Sequence, residues 1–214
     1  MDEKIRKYVD TIFEVNENLD LTAASREEFL NYHVADALMI TKLVIFKSGS
    51  NVVDIGSGQG IPGIVVAIKL PEVNVTLVES TTKKSKFLSY VVDLLKLKNV
   101  RVINARVEDF CRNEGRNQFD IALVRGVEKL NVLLEYALPL LKTGGLFLPQ
   151  KGKAVKKEMK EAKSALAILG GKIEGMKWYR ISDRLLSVPF IRKIKESPSK
   201  YPRRSGIPSK RPIA

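Results

Sequence analysis

The sequence predicts an α/β fold, a doubly wound open sheet of seven strands with helices on both faces. Three observations predict it. The stretch VVDIGSGQGIPG, from Val52 to Gly63, passes from a β-branched strand through closely spaced glycines into an apolar helix start. Beyond it, short apolar runs with strand character alternate with helical patterns. The chain of 214 residues, 44% apolar, has the length and composition of one ordinary domain with ample core.

In chain order, residues 3–16 place Ile5, Tyr8, Val9, Ile12 and Phe13 on one helical face. Ser25 followed by Glu28 is a capping box that opens a second helix, and Gly49 is its expected stop. These two helices are expected to pack on the sheet or cover its ligand crevice. His33 and Asp36, on the second helix, read most simply as a surface or capping pair. Pro71 ends the helix after the glycines, and residues 73–79 alternate as the second strand, with Glu79 at its C-terminal end. Thr81 is expected to cap a helix burying Phe87, Leu88, Val91, Val92 and Leu95. Lys83, Lys84 and Lys86 crowd its first turn, where the helix dipole disfavours cations, which hints at an anionic partner. Residues 100–104 form a third strand, and 119–124 a fourth that ends in Arg125-Gly126. A helix over 128–141, a fifth strand ending at Lys151-Gly152, a basic helix over 153–169 and strands near 172–181 and 187–195 complete the sheet. The remaining SPSKYPRRSGIPSKRPIA is rich in Pro, Gly, Ser and cations, so an extended basic arm is expected. The organisation is then one domain over 1–196, with 1–48 as a helical N-terminal part, and an arm over 197–214.

Charge is unevenly placed. Residues 1–150 hold 19 Lys+Arg against 19 Asp+Glu, whereas 151–214 hold 18 against 5, which carries the whole net charge of +13. Such one-sidedness points to a polyanionic partner, and to nucleic acid before acidic membrane because the basic segment has little apolar stripe. A solvated basic surface is the plainer alternative. In the arm, Tyr201 beside Arg203 and Arg204, with Lys210 further on, offers stacking and phosphate contacts together. One cysteine, Cys111, and one histidine, His33, exclude an internal disulfide and argue against a zinc site, so no metal is expected. Without a long apolar run or a signal-type N-terminus, a cytoplasmic protein with no membrane segment is expected.

The glycine stretch admits two ligands. Gly58, Gly60 and Gly63 satisfy the dinucleotide pattern, with Glu79 at the distance of a ribose-binding acid. Asp54 immediately before Gly56, Gly58 and Gly60 instead places a carboxylate at the strand end, which suits the ammonium and sulfonium of S-adenosylmethionine. Glu79 there is able to accept both ribose hydroxyls. Val107 and Glu108, after the third strand, offer an apolar face and an acceptor for adenine, or simply favour a helix start. Arg125 falls where reacting groups of such a sheet converge.

The chain resembles the bacterial small-subunit ribosomal RNA guanine-N7 methyltransferases, the RsmG or GidB family. The resemblance rests on NLDLTAA before the helix with His33 and Asp36, DIGSGQGIPG, VESTTKKSKFL, ARVED, LVRGV, QKGK and YPRRSGIPSKRPI, in family order over nearly the whole chain. It implies a Rossmann-like class I methyltransferase fold, S-adenosyl-L-methionine as cofactor, and 7-methylguanosine in the decoding-region loop of 16S ribosomal RNA as product. The partner implied is 16S ribosomal RNA or the small subunit; nothing in the sequence demands more than a monomer. By the same similarity Gly56, Ile61, Glu79, Ser80, Thr81, Val107, Glu108 and Arg125 line the cofactor site, and Arg106, Arg125 and Lys151 meet RNA or the target base. Glu79-Ser80 departs from the Asp-Ser of many members, a longer acid with the same chemistry.

Guanine N7 carries a free lone pair, so positioning and not proton removal is the expected work. Accordingly the sequence lacks the Asn/Asp-Pro-Pro-Tyr/Phe grip for an exocyclic amine after the fourth strand, and no Pro-Cys nucleophile is present. Arg125 is expected to contact the cofactor carboxylate, O6 or a phosphate. Two other classes stand beside this one: a nicotinamide oxidoreductase using Gly58, Gly60, Gly63 and Glu79, and a non-catalytic RNA-binding protein with a vestigial pocket. Removing residues 197–214 is expected to weaken RNA binding while leaving cofactor affinity near normal.

Overall fold

Five strands make the parallel part of the sheet. In the computed structural model, which describes residues 2–213, these are β1 (Asn51–Ile55), β2 (Asn74–Glu79), β3 (Val100–Asn104), β4 (Phe119–Arg125) and β5 (Leu141–Gln150). The central β1 and β4, with most of β2, are buried and mainly apolar, whereas the edge strand β3 and the start of β5 are more exposed and carry polar residues. Met1 and Ala214, the last residue of the expected arm, lie outside the described residues. A hairpin of β6 (Gly171–Ile181) and β7 (Arg184–Lys193) completes a seven-stranded sheet of order β3-β2-β1-β4-β5-β7-β6. β7 runs antiparallel to both its neighbours, and every other pair is parallel. The order reverses between β1 and β4, so a crevice opens beyond the C-terminal ends of these two strands.

Alternation along the strands divides the core in two. Val52, Leu77, Ile121 and Leu123 face a cluster shared with α1 (Glu3–Leu19), α3 (Ala35–Leu43), α4 (Gly63–Lys69) and α5 (Thr82–Leu94). Val53, Ile55, Val78, Ala122 and Val124 face the other cluster, shared with α6 (Val107–Phe110), α7 (Leu130–Ala137) and α9 (Lys163–Leu169). The second expected helix begins as predicted, with the Ser25 hydroxyl accepting from Glu28 N. It comprises α2 (Arg26–Glu28), a π-helical stretch Phe29–Val34 and α3, and it ends at Leu43, short of Gly49. The basic helix is broken at Ala162 into α8 (Val155–Glu161) and α9. β7 starts three residues earlier than expected because Ser182, at φ +52, and Asp183 suffice to turn the hairpin.

The segment after β7 departs most from expectation. It folds back on the domain instead of extending from it: Tyr201 and Ile213 are buried within the second core cluster, and a short α10 (Ile207–Lys210) lies beside α7. Arginines at a distance in sequence hold its main chain. Arg116 donates to the carbonyls of Ser197 and Tyr201, both at 2.6 Å, and Arg112 to that of Pro202 at 2.9 Å. Composition counts apolar side chains and so misses a segment docked through its carbonyls.

The N-terminal helices are tied to the glycine turn. Tyr8, fully buried, donates its hydroxyl to Gln59 O at 2.8 Å. Gly56 and Gly58 take positive φ there, +66° and +56°, which lets the turn curl back over β1 and β2.

Candidate functional site

The crevice beyond β1 and β4 measures about 680 Å³. Its walls are the glycine turn (Gly56 to Ile61), Glu79 and Ser80 after β2, Arg125 to Val127 after β4, and Gln150 to Gly152 after β5, with Tyr32, His33 and Asp36 above them. A recess of about 230 Å³ continues past Gly56, Ser80 and Val127, which border both spaces. Ile55, Val78, Val107, Glu108, Tyr136 and Ser209 line this recess.

Glu79 is buried, and its carboxylate is aimed by main-chain donors: Gly58 N reaches Oε2 at 2.9 Å and Thr81 N reaches Oε1 at 2.7 Å. Each oxygen keeps a lone pair for a ligand hydroxyl. In the recess Glu108 accepts from Gly206 N through Oε1 at 3.0 Å, which leaves Oε2 open to a ligand amine. Acceptors for a diol at one point and for an amine beside an apolar cleft at the next fit an adenosine moiety. Among the described residues no group of three or more His, Cys, Asp or Glu is placed to hold a metal.

The same crevice is lined by a polar network that the sequence did not reveal. Asp36, 1% exposed, accepts from Arg125 Nε and from the Tyr179 hydroxyl, both at 2.6 Å. Gln150 donates to Asp36 O at 2.9 Å. Arg125 Nη1 meets His33 Nδ1 at 2.8 Å; since a guanidinium only donates, Nδ1 accepts and the imidazole carries its hydrogen on Nε2. Burial and the adjacent Arg125 charge hold the His33 pKa down at about 4, so the ring is neutral at physiological pH. The Tyr32 ring lies beneath two guanidiniums, that of Arg184 at 4.1 Å and that of Arg125 at 5.3 Å from its centroid. Tyr32 and His33 sit in the π-helical stretch, a geometry common at functional sites. The three-residue spacing of His33 and Asp36 was visible in sequence, whereas nothing local singles out Tyr179, which pairs with Asp36 across 143 positions.

Several expected site residues are brought together and others are not. Gly56, Gly58, Ile61, Glu79, Ser80 and Arg125 line the crevice, and Val107 and Glu108 line the recess. Thr81 contributes its N–H to Glu79 and is itself outside both linings. Asp54 does not reach the ligand space. It lies behind the turn, 1% exposed, with Oδ2 accepting from Gly63 N at 2.9 Å and Oδ1 without a partner. Its role in the structure is to fix the start of α4, and burial raises its pKa to about 7. Arg106 is exposed at the recess. Lys151 lines the crevice but is neutralised by Glu158 at 2.7 Å and donates to Glu128 O at 2.6 Å. Lys83 and Lys84 stand at the start of α5, with Lys84 on the crevice wall, and Arg204 and Lys210 are exposed on the docked segment. Tyr201, in contrast, is 9% exposed, and Arg203 is forked onto the fully buried Glu135. Neither is free to stack on a base or grip a phosphate.

Asp54 and His33 give stability opposite pH slopes. The unfolded chain releases the Asp54 proton near its ordinary 3.8, but the fold keeps it to about 7, so this group's contribution falls as pH rises between those values. His33 takes up its proton near 6.5 when unfolded and near 4 when folded, so its contribution rises with pH across that window. Urea unfolding from pH 4.5 to 7 is therefore expected to show a rising stability for Asp54→Asn and a falling one for His33→Gln. Parallel profiles for the two variants would contradict the assignment.

Comparison with known proteins bears on this site. A family model described as rRNA small subunit methyltransferase G matches residues 1–186. The Ribosomal RNA small subunit methyltransferase G of Desulfitobacterium hafniense is 41% identical, covering 99% of this chain and 89% of that protein. That of Syntrophomonas wolfei is 40% identical and covers 100% of both. Among solved structures, M. jannaschii TYW2 in complex with AdoMet has a TM-score of 0.61 at 17% identity, over 83% of this chain and 81% of that one. A SAM dependent methyltransferase from Aquifex aeolicus has a TM-score of 0.59 at 16% identity, over 86% and 97% respectively. The likeness to these structures is one of fold.

Proposed function

As the chain belongs to the rRNA small subunit methyltransferase G family, we propose that its crevice binds S-adenosyl-L-methionine and methylates N7 of a guanine in the decoding-region loop of 16S ribosomal RNA. The observation that carries this reading is the pairing, across one crevice, of the oriented Glu79 carboxylate with the His33–Arg125 donor pair. S-adenosyl-L-methionine supplies an electrophilic methyl group on a sulfonium. Glu79 holds the ribose hydroxyls, Glu108 Oε2 takes the adenine amine, and Val107 packs on the ring.

The guanine needs no base at N7, and the site offers none: Asp36 is engaged by Arg125 and Tyr179. Cys111 is buried among apolar neighbours on the face of α6 and α7, its thiol pushed up to about 11 by burial, so it is no nucleophile. His33 Nε2–H and the remaining Arg125 Nη2 donors read guanine O6. An adenine would bring its own amino donors to the same place, which selects against it. The cation that develops on the guanine ring then faces a neutral imidazole and an arginine already paired with Asp36, so no net positive charge opposes it. Arg106, the exposed Lys83, Arg204 and Lys210, and the half-buried Lys84 on the crevice wall meet RNA phosphates. Lys151 acts by tying the loop after β5 to α8. In this reading the working unit is a cytoplasmic monomer; among the described residues no helix is long and apolar enough to cross a membrane.

Transfer of labelled methyl from S-adenosylmethionine to small-subunit RNA, followed by nucleoside analysis, tests this reading. Label is expected in 7-methylguanosine. Tight binding of S-adenosylhomocysteine with no transfer to RNA or subunits would overturn the substrate, and binding of NAD in its place would overturn the cofactor.

A further inference from the structure

The docked C-terminal segment borders the recess. Ser209 forms part of its lining, and Gly206 N holds the Glu108 carboxylate from the same side. The Ser209 hydroxyl bonds that of Tyr136, another lining residue, at 3.0 Å, and the Ser205 hydroxyl donates to Asp109 at 2.8 Å. Just upstream, Arg203 clasps Glu135, a carboxylate with no exposure, through its backbone N and its guanidinium, the shortest contact being 2.6 Å. The recess therefore has one wall from the sheet and another from a segment held by polar contacts.

We infer that residues 203–209 are a wall of the cofactor site, so that segment docking and cofactor binding stabilise each other. This rests on the reading of the recess as the adenine end of an S-adenosylmethionine site. A ligand that bridges Val107 and Glu108 to the Ser209 side holds the segment down, and a segment released from Glu135 takes away both the wall and the bond that orients Glu108. By linkage the coupling is reciprocal. It contradicts the expectation that removal of residues 197–214 leaves cofactor affinity unchanged.

The test uses the whole chain, trypsin and S-adenosylhomocysteine as probe. Arg204 is exposed, and cleavage after it reports opening of the segment. Saturating S-adenosylhomocysteine is expected to slow that cleavage about tenfold relative to cleavage after Lys153, which lies on an exposed loop outside the recess. Ser209→Trp, which fills the recess from an exposed position, is expected to lower S-adenosylhomocysteine affinity by at least about tenfold in calorimetry while the melting temperature of the free protein stays nearly constant. Wild-type binding with unchanged cleavage after Arg204, or undiminished affinity in Ser209→Trp, would overturn the inference and leave the methyltransferase reading standing. Absence of any S-adenosylhomocysteine binding by the wild type would overturn that reading and the inference with it.

Discussion

Asp36→Asn lowers methyl transfer about a hundredfold while leaving affinity for S-adenosylhomocysteine nearly unchanged. Asp36 accepts two donors at 2.6 Å, from Arg125 and Tyr179, in a place where water does not reach. An amide has one acceptor oxygen and no charge: kept on Arg125, it turns its NH₂ to the phenol oxygen, the Tyr179 hydrogen loses its carboxylate acceptor, and the guanidinium loses its buried counter-ion. Breaking a buried charged pair in this way costs about 3 kcal/mol. If that cost falls on the position of Arg125, it converts to about 10²-fold in rate. Tyr179→Phe removes only the neutral donor and costs less, about fivefold, in keeping with roughly 1 kcal/mol for one hydrogen bond. Arg125→Lys keeps the charge but cannot fork between Asp36 and His33, so it follows Asp36→Asn and not the wild type. Single-turnover rates at saturating RNA and cofactor measure all three. Unchanged transfer by Asp36→Asn and Arg125→Lys would remove the network from the mechanism.

Gly63→Ala destabilises the fold by about 3 kcal/mol or more, although alanine is the better helix former. A Cβ at Gly63 meets the side chain of Leu77 and lies 2.6 Å from Asp54 Oδ2 and 3.0 Å from Asp54 Cβ. Neither neighbour is the loose end of a surface chain, since Leu77 and Asp54 are both buried. The propensity gain is no more than about 1 kcal/mol. Overpacking costs about 1–3 kcal/mol, and displacement of Asp54 from Gly63 N adds the loss of a buried hydrogen bond, about 1–3 kcal/mol. For a chain of this size the melting temperature falls by roughly 10 °C. A melting temperature within a degree or two of wild type would show that α4 has room to move off β1 and β2.

Strands and switch point were legible because they are local: β-branched runs announce β1 to β4, and the glycines mark where β1 gives way to α4. Glu79 was legible for the same reason, standing at a strand end one βα unit after the glycines. The Asp36 network was not, because its members come from a helix, two parallel strands and the hairpin, 89 to 143 positions apart. Asp54 misled because a carboxylate beside glycines has two uses, toward a ligand or toward the N–H that starts the next helix, and only burial separates them. The tail misled because Arg112 and Arg116 read its carbonyls, which every sequence has. Pro and Gly then lower the cost of holding it in place, by limiting or permitting its turns, and are not signs of disorder.

Three cations in or behind the site are already paired: Arg125 with Asp36, Lys151 with Glu158 and Arg203 with Glu135. The excess charge of the chain thus resides in an outer ring of solvated lysines and arginines, of which Lys83, Arg106, Arg204 and Lys210 are members. Mobile ions screen such a ring over about 10 Å at 0.1 M salt, while pairs held inside the protein feel them much less. The molecule in this way separates attraction from chemistry: ionic strength governs how often a polyanion arrives, and the geometry it finds on arrival is indifferent to it.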